Sequence, residues 1–171
     1  MSIFIESFER TENSDEMFGV IGRALVIAAR FDSMCKALAL AIGLTKFPDL
    51  PRNISNTDFS LLIELVQKKC STLDKSINRL ELPDGMSVIL HDARAARNAV
   101  AHELAVGMEG CIDAKIDEKN FLREVSEYIF DLAHGDVLLS VLAHEFNGED
   151  PMRPELRSAY RDKILNWVIE K

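Results

Sequence analysis

The sequence predicts an all-α protein, a single helical bundle of about five helices formed by residues 1–171. Three observations carry that prediction: apolar residues recur at three- and four-residue spacing, no apolar–polar alternation runs long enough for a sheet, and turn-forming clusters leave only short connections. With 171 residues and 47% hydrophobic side chains, the chain suffices for one proper core and is short for two domains. The same apolar fraction excludes intrinsic disorder, and eight Gly with five Pro exclude collagen-like or low-complexity character.

The first predicted helix begins near Ser14 and reaches Gly43, a candidate C-cap. Its Ala, Leu, Met and Ile residues cover much of its circumference, which predicts burial on more than one side. FPDLPRN makes a turn-rich connection. Asn56 or Thr57 then caps a second helix running to about Leu80, with Phe59, Leu62, Ile63, Val66 and Leu73 on its apolar side and Lys68, Lys69, Lys75 and Arg79 on the other. LPDG breaks the chain before a third helix, from about Met86 to Val106, ending near Gly107. Asp117 caps a fourth that extends toward Phe146, with Gly135 as a candidate weak point or bend. NGEDPMRP is a turn, and Pro154 suits the first turn of the last helix.

Charge narrows the function classes. The net charge of −8 argues against a generally basic nucleic-acid binder. Between Glu109 and Asp150, three basic residues stand against eleven acidic ones, which accounts for the whole −8, so the rest of the chain is neutral and retains room for a local basic surface. The acidic stretch reads as a solvated face or a docking surface for a partner. Cys35, Cys70 and Cys111 are odd in number and lack metal-ligand spacing, and MSIFIESFER carries acids where a signal peptide needs an apolar run. These features predict a reduced, cytoplasmic protein with no structural metal. The most apolar region, Met17 to Leu44, is interrupted by Arg23, Arg30, Asp32 and Lys36, and its uncharged runs are far below the roughly 18–20 residues of a membrane span.

The third helix holds the chemistry. At about 100° per residue, Ile89, Ala93, Ala96, Val100 and Leu104 gather on one side. His91, Arg94, Asn98 and His102 gather nearly opposite, and Arg97 lies on the flank between. Ala95, Ala99, Ala101 and Ala105 border the polar stripe and allow close approach of another helix. Imidazole moves protons near neutral pH, and guanidinium grips phosphate oxygens in a bidentate fork. That set suits phosphoryl transfer without metal. Arg97 and His102 are five residues apart, about 140° around the axis, so their convergence needs a reaching side chain, a helix distortion or a second copy of the helix.

Arg97-Asn98-Ala99-Val100-Ala101-His102 reads R-N-x-x-x-H and resembles the signature of the HEPN superfamily, within its broader R-x(4–6)-H pattern. The likeness covers the motif helix and, more loosely, the all-α layout with a long apolar first helix. It implies a small helical bundle that dimerises, and for many members a metal-independent endoribonuclease without cofactor, among them toxins of toxin–antitoxin and phage-defence systems. By that resemblance Arg97 stabilises the scissile phosphate, Asn98 positions it, and His102 acts as general acid or base. The RNA 2′-hydroxyl then attacks, leaving a 2′,3′-cyclic phosphate and a 5′-hydroxyl. The chain departs from the pattern at one place. Superfamily toxins modified by a nucleotidyltransferase antitoxin carry Tyr two residues after the His, where this sequence has Leu104; another antitoxin or regulatory protein remains open as a partner.

Other readings stand beside this one. Arg97 and His102 also fit an interhelical hydrogen-bond network in a non-catalytic regulator or adaptor, and the stripe fits a nucleotide-binding domain without turnover. His91 and Arg94 read as accessory or simply exposed, and Asp32 and Arg30 as orienting groups or a buried pair. Lys68 and Lys69 belong to a solvated face that also suits RNA-backbone contact. His134 and His144 sit among apolar residues as structural groups, and His144-Glu145 lacks the second His of a zinc protease motif.

Overall fold

The computed structural model describes residues 12–47, 54–104 and 117–170. Among these, six helices form an all-α bundle, and no strand occurs. Helix α1 spans Glu12–Thr45, α2 Asn56–Lys69, α3 Leu73–Arg79, α4 Asp84–His102, α5 Glu118–Asn147 and α6 Pro154–Ile169. The buried core draws on five of them: Phe31 and Cys35 of α1, Ile77 of α3, Leu90 and Ala93 of α4, Ile129 and Leu132 of α5, and Val168 of α6. α4 and α5 form the most extensive pairing, and α1 packs across both. No helix among the described residues is long and apolar enough to cross a membrane.

The second predicted helix is two helices. Cys70 closes α2 by bonding its N–H to Gln67 O, and the Thr72 hydroxyl then caps α3 by accepting from Lys75 N at 3.2 Å. Ser76, fully buried, satisfies the carbonyls freed at the break, donating to Cys70 O and Thr72 O at 3.3 and 3.1 Å. Ser55 caps α2. The apolar side expected of α2 is only partly used: Val66 is buried, whereas Phe59 is exposed.

Two glycines share one physical role, close approach, and the first is not the C-cap expected of it. α1 runs through Gly43 to Thr45, and a Cβ at Gly43 would stand 2.6 Å from Val66 Cγ1 and 3.0 Å from Arg79 Nε. That glycine admits α2 and α3 to the surface of α1 rather than ending the helix. Gly135 lies buried within α5, where a Cβ would meet Ala93 Cβ at 2.6 Å and Phe31 Cε2 at 2.8 Å. It marks the place where α1, α4 and α5 meet. Gly148, at φ 69°, takes the left-handed conformation that closes α5, with Gly148 N–H on Glu145 O and Glu149 N–H on His144 O.

α4 starts two residues earlier than expected, at Asp84, where Pro83 O accepts from Met86 N and Ser87 N. It ends at His102, with Glu103 N and Leu104 N both bonded to Ala99 O. Val106, Gly107 and Cys111 lie outside the described residues.

One charged cluster ties three helices together. Asp136 of α5 is fully buried; Arg30 Nε of α1 lies 3.2 Å from each of its oxygens, and Tyr160 Oη of α6 donates to Oδ2 at 2.6 Å. A buried carboxylate without such partners would be strongly destabilising, so the three groups specify how α1, α5 and α6 sit together.

Candidate functional site

The polar flank of α4 divides between two carboxylates. Arg97 turns toward α1, where its Nη2 lies 3.6 Å from Asp32 Oδ2. Its Nη1 donates to Asn98 Oδ1 at 3.2 Å. Asp32, whose side chain is 16% exposed, also receives Lys36 Nζ at 2.9 Å. One carboxylate thus faces two cations, and the local surplus is positive. Arg97 keeps 28% of its side chain in contact with solvent, enough for a guanidinium edge to reach a ligand.

Asp32 therefore does approach the motif arginine, as one reading of the sequence anticipated. Arg30 does not, since it is committed to Asp136. Lys36 was not singled out from the sequence, although its i,i+4 spacing from Asp32 on a helix is the signal that would have found it. Cys35, beside Asp32, has its thiol pushed up to about 12, first by burial and then by the charges of Asp32 and Asp136. It is a neutral packing group and offers no thiolate nucleophile.

His91 and Arg94 turn to α3. His91 Nδ1 lies 3.8 Å and Arg94 Nη1 3.3 Å from Asp74 Oδ1, and Asn78 Nδ2 donates to Asp74 Oδ2 at 3.2 Å. The helical stripe is continuous in sequence, but the two halves answer to different helices. Asp74 was not anticipated, because nothing in α3 alone marks it as the partner of an arginine twenty residues further on.

His102 occupies the last residue of α4 and is exposed, and its imidazole has no hydrogen-bond or ion-pair partner among the described residues. Asn98 is exposed as well. Within one chain, Arg97 faces Asp32 while His102 projects about 140° away around the helix axis. Lys68 and Lys69 lie exposed on the last turn of α2, which packs on α1 rather than α4. His134 and His144 are half-buried; His144 Nδ1 lies 3.0 Å from Glu149 Oε2, and His134 meets the Phe130 ring edge-on at 6.3 Å between centroids.

Comparisons with protein-family models, with curated proteins and with solved structures gave no match.

Proposed function

We propose that α4 carries a HEPN-like site that cleaves RNA without metal, completed by two copies of the chain. The observation that carries this reading is the state of Arg97. It is anchored on one side by Asp32 and Asn98, backed by Lys36, and open to solvent on the other. Anchoring fixes the fork without consuming all five donors, which is what recognition of a phosphodiester oxygen needs. His102, exposed and without a partner among the described residues, is available for proton transfer.

In the proposed reaction the ribose 2′-oxygen forms a bond to phosphorus as the phosphorus–5′-oxygen bond breaks. The 2′-hydroxyl proton leaves and the departing 5′-oxygen gains one, so the products are a 2′,3′-cyclic phosphate and a 5′-hydroxyl. His102 handles a proton at one of these oxygens, and Arg97 balances the charge that builds on the phosphoryl oxygens. The angular separation of Arg97 and His102 favours a composite site. So does the surface beside Asp32: Ala29 and Ser33 are exposed there, in line along α1 with Phe18 at 44%, Leu25 at 41% and Val26 at 56% exposure. A second copy covering this stripe would bury an apolar face and bring its own α4 close to the first.

Incubation of the protein with RNA in excess EDTA is the test. Cleavage leaving cyclic phosphate ends, abolished by His102→Ala with the circular-dichroism melt unchanged, is the expected result. Loss of the fold in that variant, or no cleavage of any RNA by the wild type, would leave the alternative of a non-catalytic regulator or adaptor ahead. The α1 stripe is the observation that favours that second reading, since it fits a partner protein as well as a second copy.

A further inference from the structure

A separate cavity lies where α4, α5 and α6 meet, with a volume of ≈ 250 Å³. Its walls are apolar, formed by Ile89 of α4 and Val137, Leu138 and Val141 of α5. Its polar lining is Ser158 of α6 and three groups that are cationic or titratable to a cation: His134 of α5, and Arg157 and Arg161, one turn apart on α6. No carboxylate lines it, in a chain of net charge −8.

The two arginines lack acidic partners among the described residues. Arg157 donates Nε to Met152 O at 2.9 Å, which leaves its terminal nitrogens unused, and it makes no ion pair among the described residues. Arg161 stacks over the Phe130 ring at 5.2 Å, and its Nε is buried with no hydrogen-bond partner. A half-buried guanidinium with an unmet buried donor is costly unless something occupies it. The arginines of the α4 flank each meet a carboxylate, and Arg30 does too; these two do not. Asp131, half-buried beside His134 and Asp92, is a carboxylate near this rim, and burial and the Asp92 charge raise its carboxyl above the ordinary range.

We propose that this cavity binds a small amphipathic anion, an oxyanion carried on an aromatic or branched aliphatic body. The body fills the apolar walls, and the carboxylate or phosphate group meets the forks of Arg157 and Arg161 with His134 as a further donor. The cavity lies just below the roughly 300–1,000 Å³ usual for ligand pockets, so it takes a compact ligand. The oxyanion supplies the acceptor that Arg161 Nε lacks. Nothing in this site depends on Arg97 or His102, so it stands or falls apart from the cleavage reading.

Calorimetric titration of the full chain with phenylphosphate and with phenylacetate tests it, against benzyl alcohol (body without charge) and inorganic phosphate (charge without body). One of the two aryl anions should bind saturably, one per chain, at least about tenfold tighter than either control. Whichever is tighter identifies the headgroup. Arg157→Gln/Arg161→Gln should reduce binding to the level of the controls. Ser158→Phe, at an exposed position lining the cavity, should block it while leaving both charges in place, and so tests occupancy even if the double variant fails to fold. Equal binding of benzyl alcohol or of inorganic phosphate, undiminished binding in both variants, or no saturation by either aryl anion up to about 10 mM would overturn the assignment.

Discussion

Arg97 of α4 and Asp32 of α1 lie 3.6 Å apart, so a carboxylate from the longest helix of the bundle faces the guanidinium on α4. Lys36 shares the same oxygen, and the pair is partly open to solvent. Such a bridge contributes little to stability, and its consequence lies in where the guanidinium points.

On the proposed chemistry, Asp32→Ala should release Arg97 without removing it. The melting temperature should change by no more than a few degrees. RNA affinity should hold or rise, since a carboxylate facing phosphate is gone, while the single-turnover cleavage rate falls on the order of tenfold. Equal cleavage rates for the two proteins would show that Asp32 does not position the arginine.

Arginine acting on phosphate and histidine acting on protons should separate in the kinetics. Arg97→Ala should weaken both RNA affinity and cleavage, His102→Ala should lose cleavage with affinity largely kept, and Arg97→Lys should rescue poorly because a point charge cannot reproduce the fork. Binding and single-turnover rates of the three variants decide it. Wild-type values in all of them would end the catalytic reading.

Sedimentation at tens of micromolar should give a dimer, and Val26→Asp, placing a charge on the exposed α1 stripe, should give a monomer with unchanged helix content. A monomeric wild type would remove the composite site with it.

Gly135→Ala should destabilise the protein by about 2 kcal/mol or more in urea denaturation, although alanine ordinarily gains up to about 1 kcal/mol over glycine in a helix. The new Cβ would stand 2.6 Å from Ala93 Cβ and 2.8 Å from Phe31 Cε2, well inside contact distance. Gly22→Ala, on the exposed side of the same bundle where a Cβ would meet nothing within 4 Å beyond its own stretch of helix, should instead stabilise. Opposite signs at the two positions are the expected result.

Tyr160 has its phenol pushed up from 10.0 to about 12, first by burial and then by its hydrogen bond to Asp136 and that group's charge. A phenol that holds its proton more tightly in the folded state contributes stability that is complete below pH 10 and lost as pH rises from 10 toward 12. Stability of the wild type should therefore fall across that window by on the order of 1 kcal/mol, discounted for the ring's solvent contact. Tyr160→Phe should lack this component and cost about 1 kcal/mol at neutral pH through the lost bond to Asp136. Denaturant midpoints of both proteins measured on either side of the window supply the comparison; parallel pH curves would remove Tyr160 from the account.

The helical pattern of the sequence was enough to read α1, α4, α5 and α6, because each carries an apolar face flanked by recognisable turns. The break between α2 and α3 was not legible: it has no Gly or Pro, and Leu73 keeps the apolar spacing going, so only the Thr72 cap marks it. Gly43 and Gly135 were read as local signals when their meaning is tertiary, set by Val66 in one case and Ala93 in the other. In the candidate site, the residue types and spacing on α4 were plain. The partners of those residues were not, since Asp32 and Asp74 come from other helices and a helical wheel shows only one. Asp136 went unremarked because a lone acid in an apolar helix declares itself only when Arg30 and Tyr160 meet it.

α2 is the element least bound to the rest. Val66, its single buried residue, seats against the bare backbone of Gly43, while Leu61 and Leu65 face solvent at 53% and 57% exposure. Fourteen residues of helix have marginal stability of their own in water. The amide protons of α2 should thus trade with deuterium through a private opening, long before those of α4 and α5, whose release waits on the collapse of the whole core. Under mild denaturant or protease the chain should first shed this helix and keep the remainder folded around Phe31, so that unfolding proceeds in two layers rather than one.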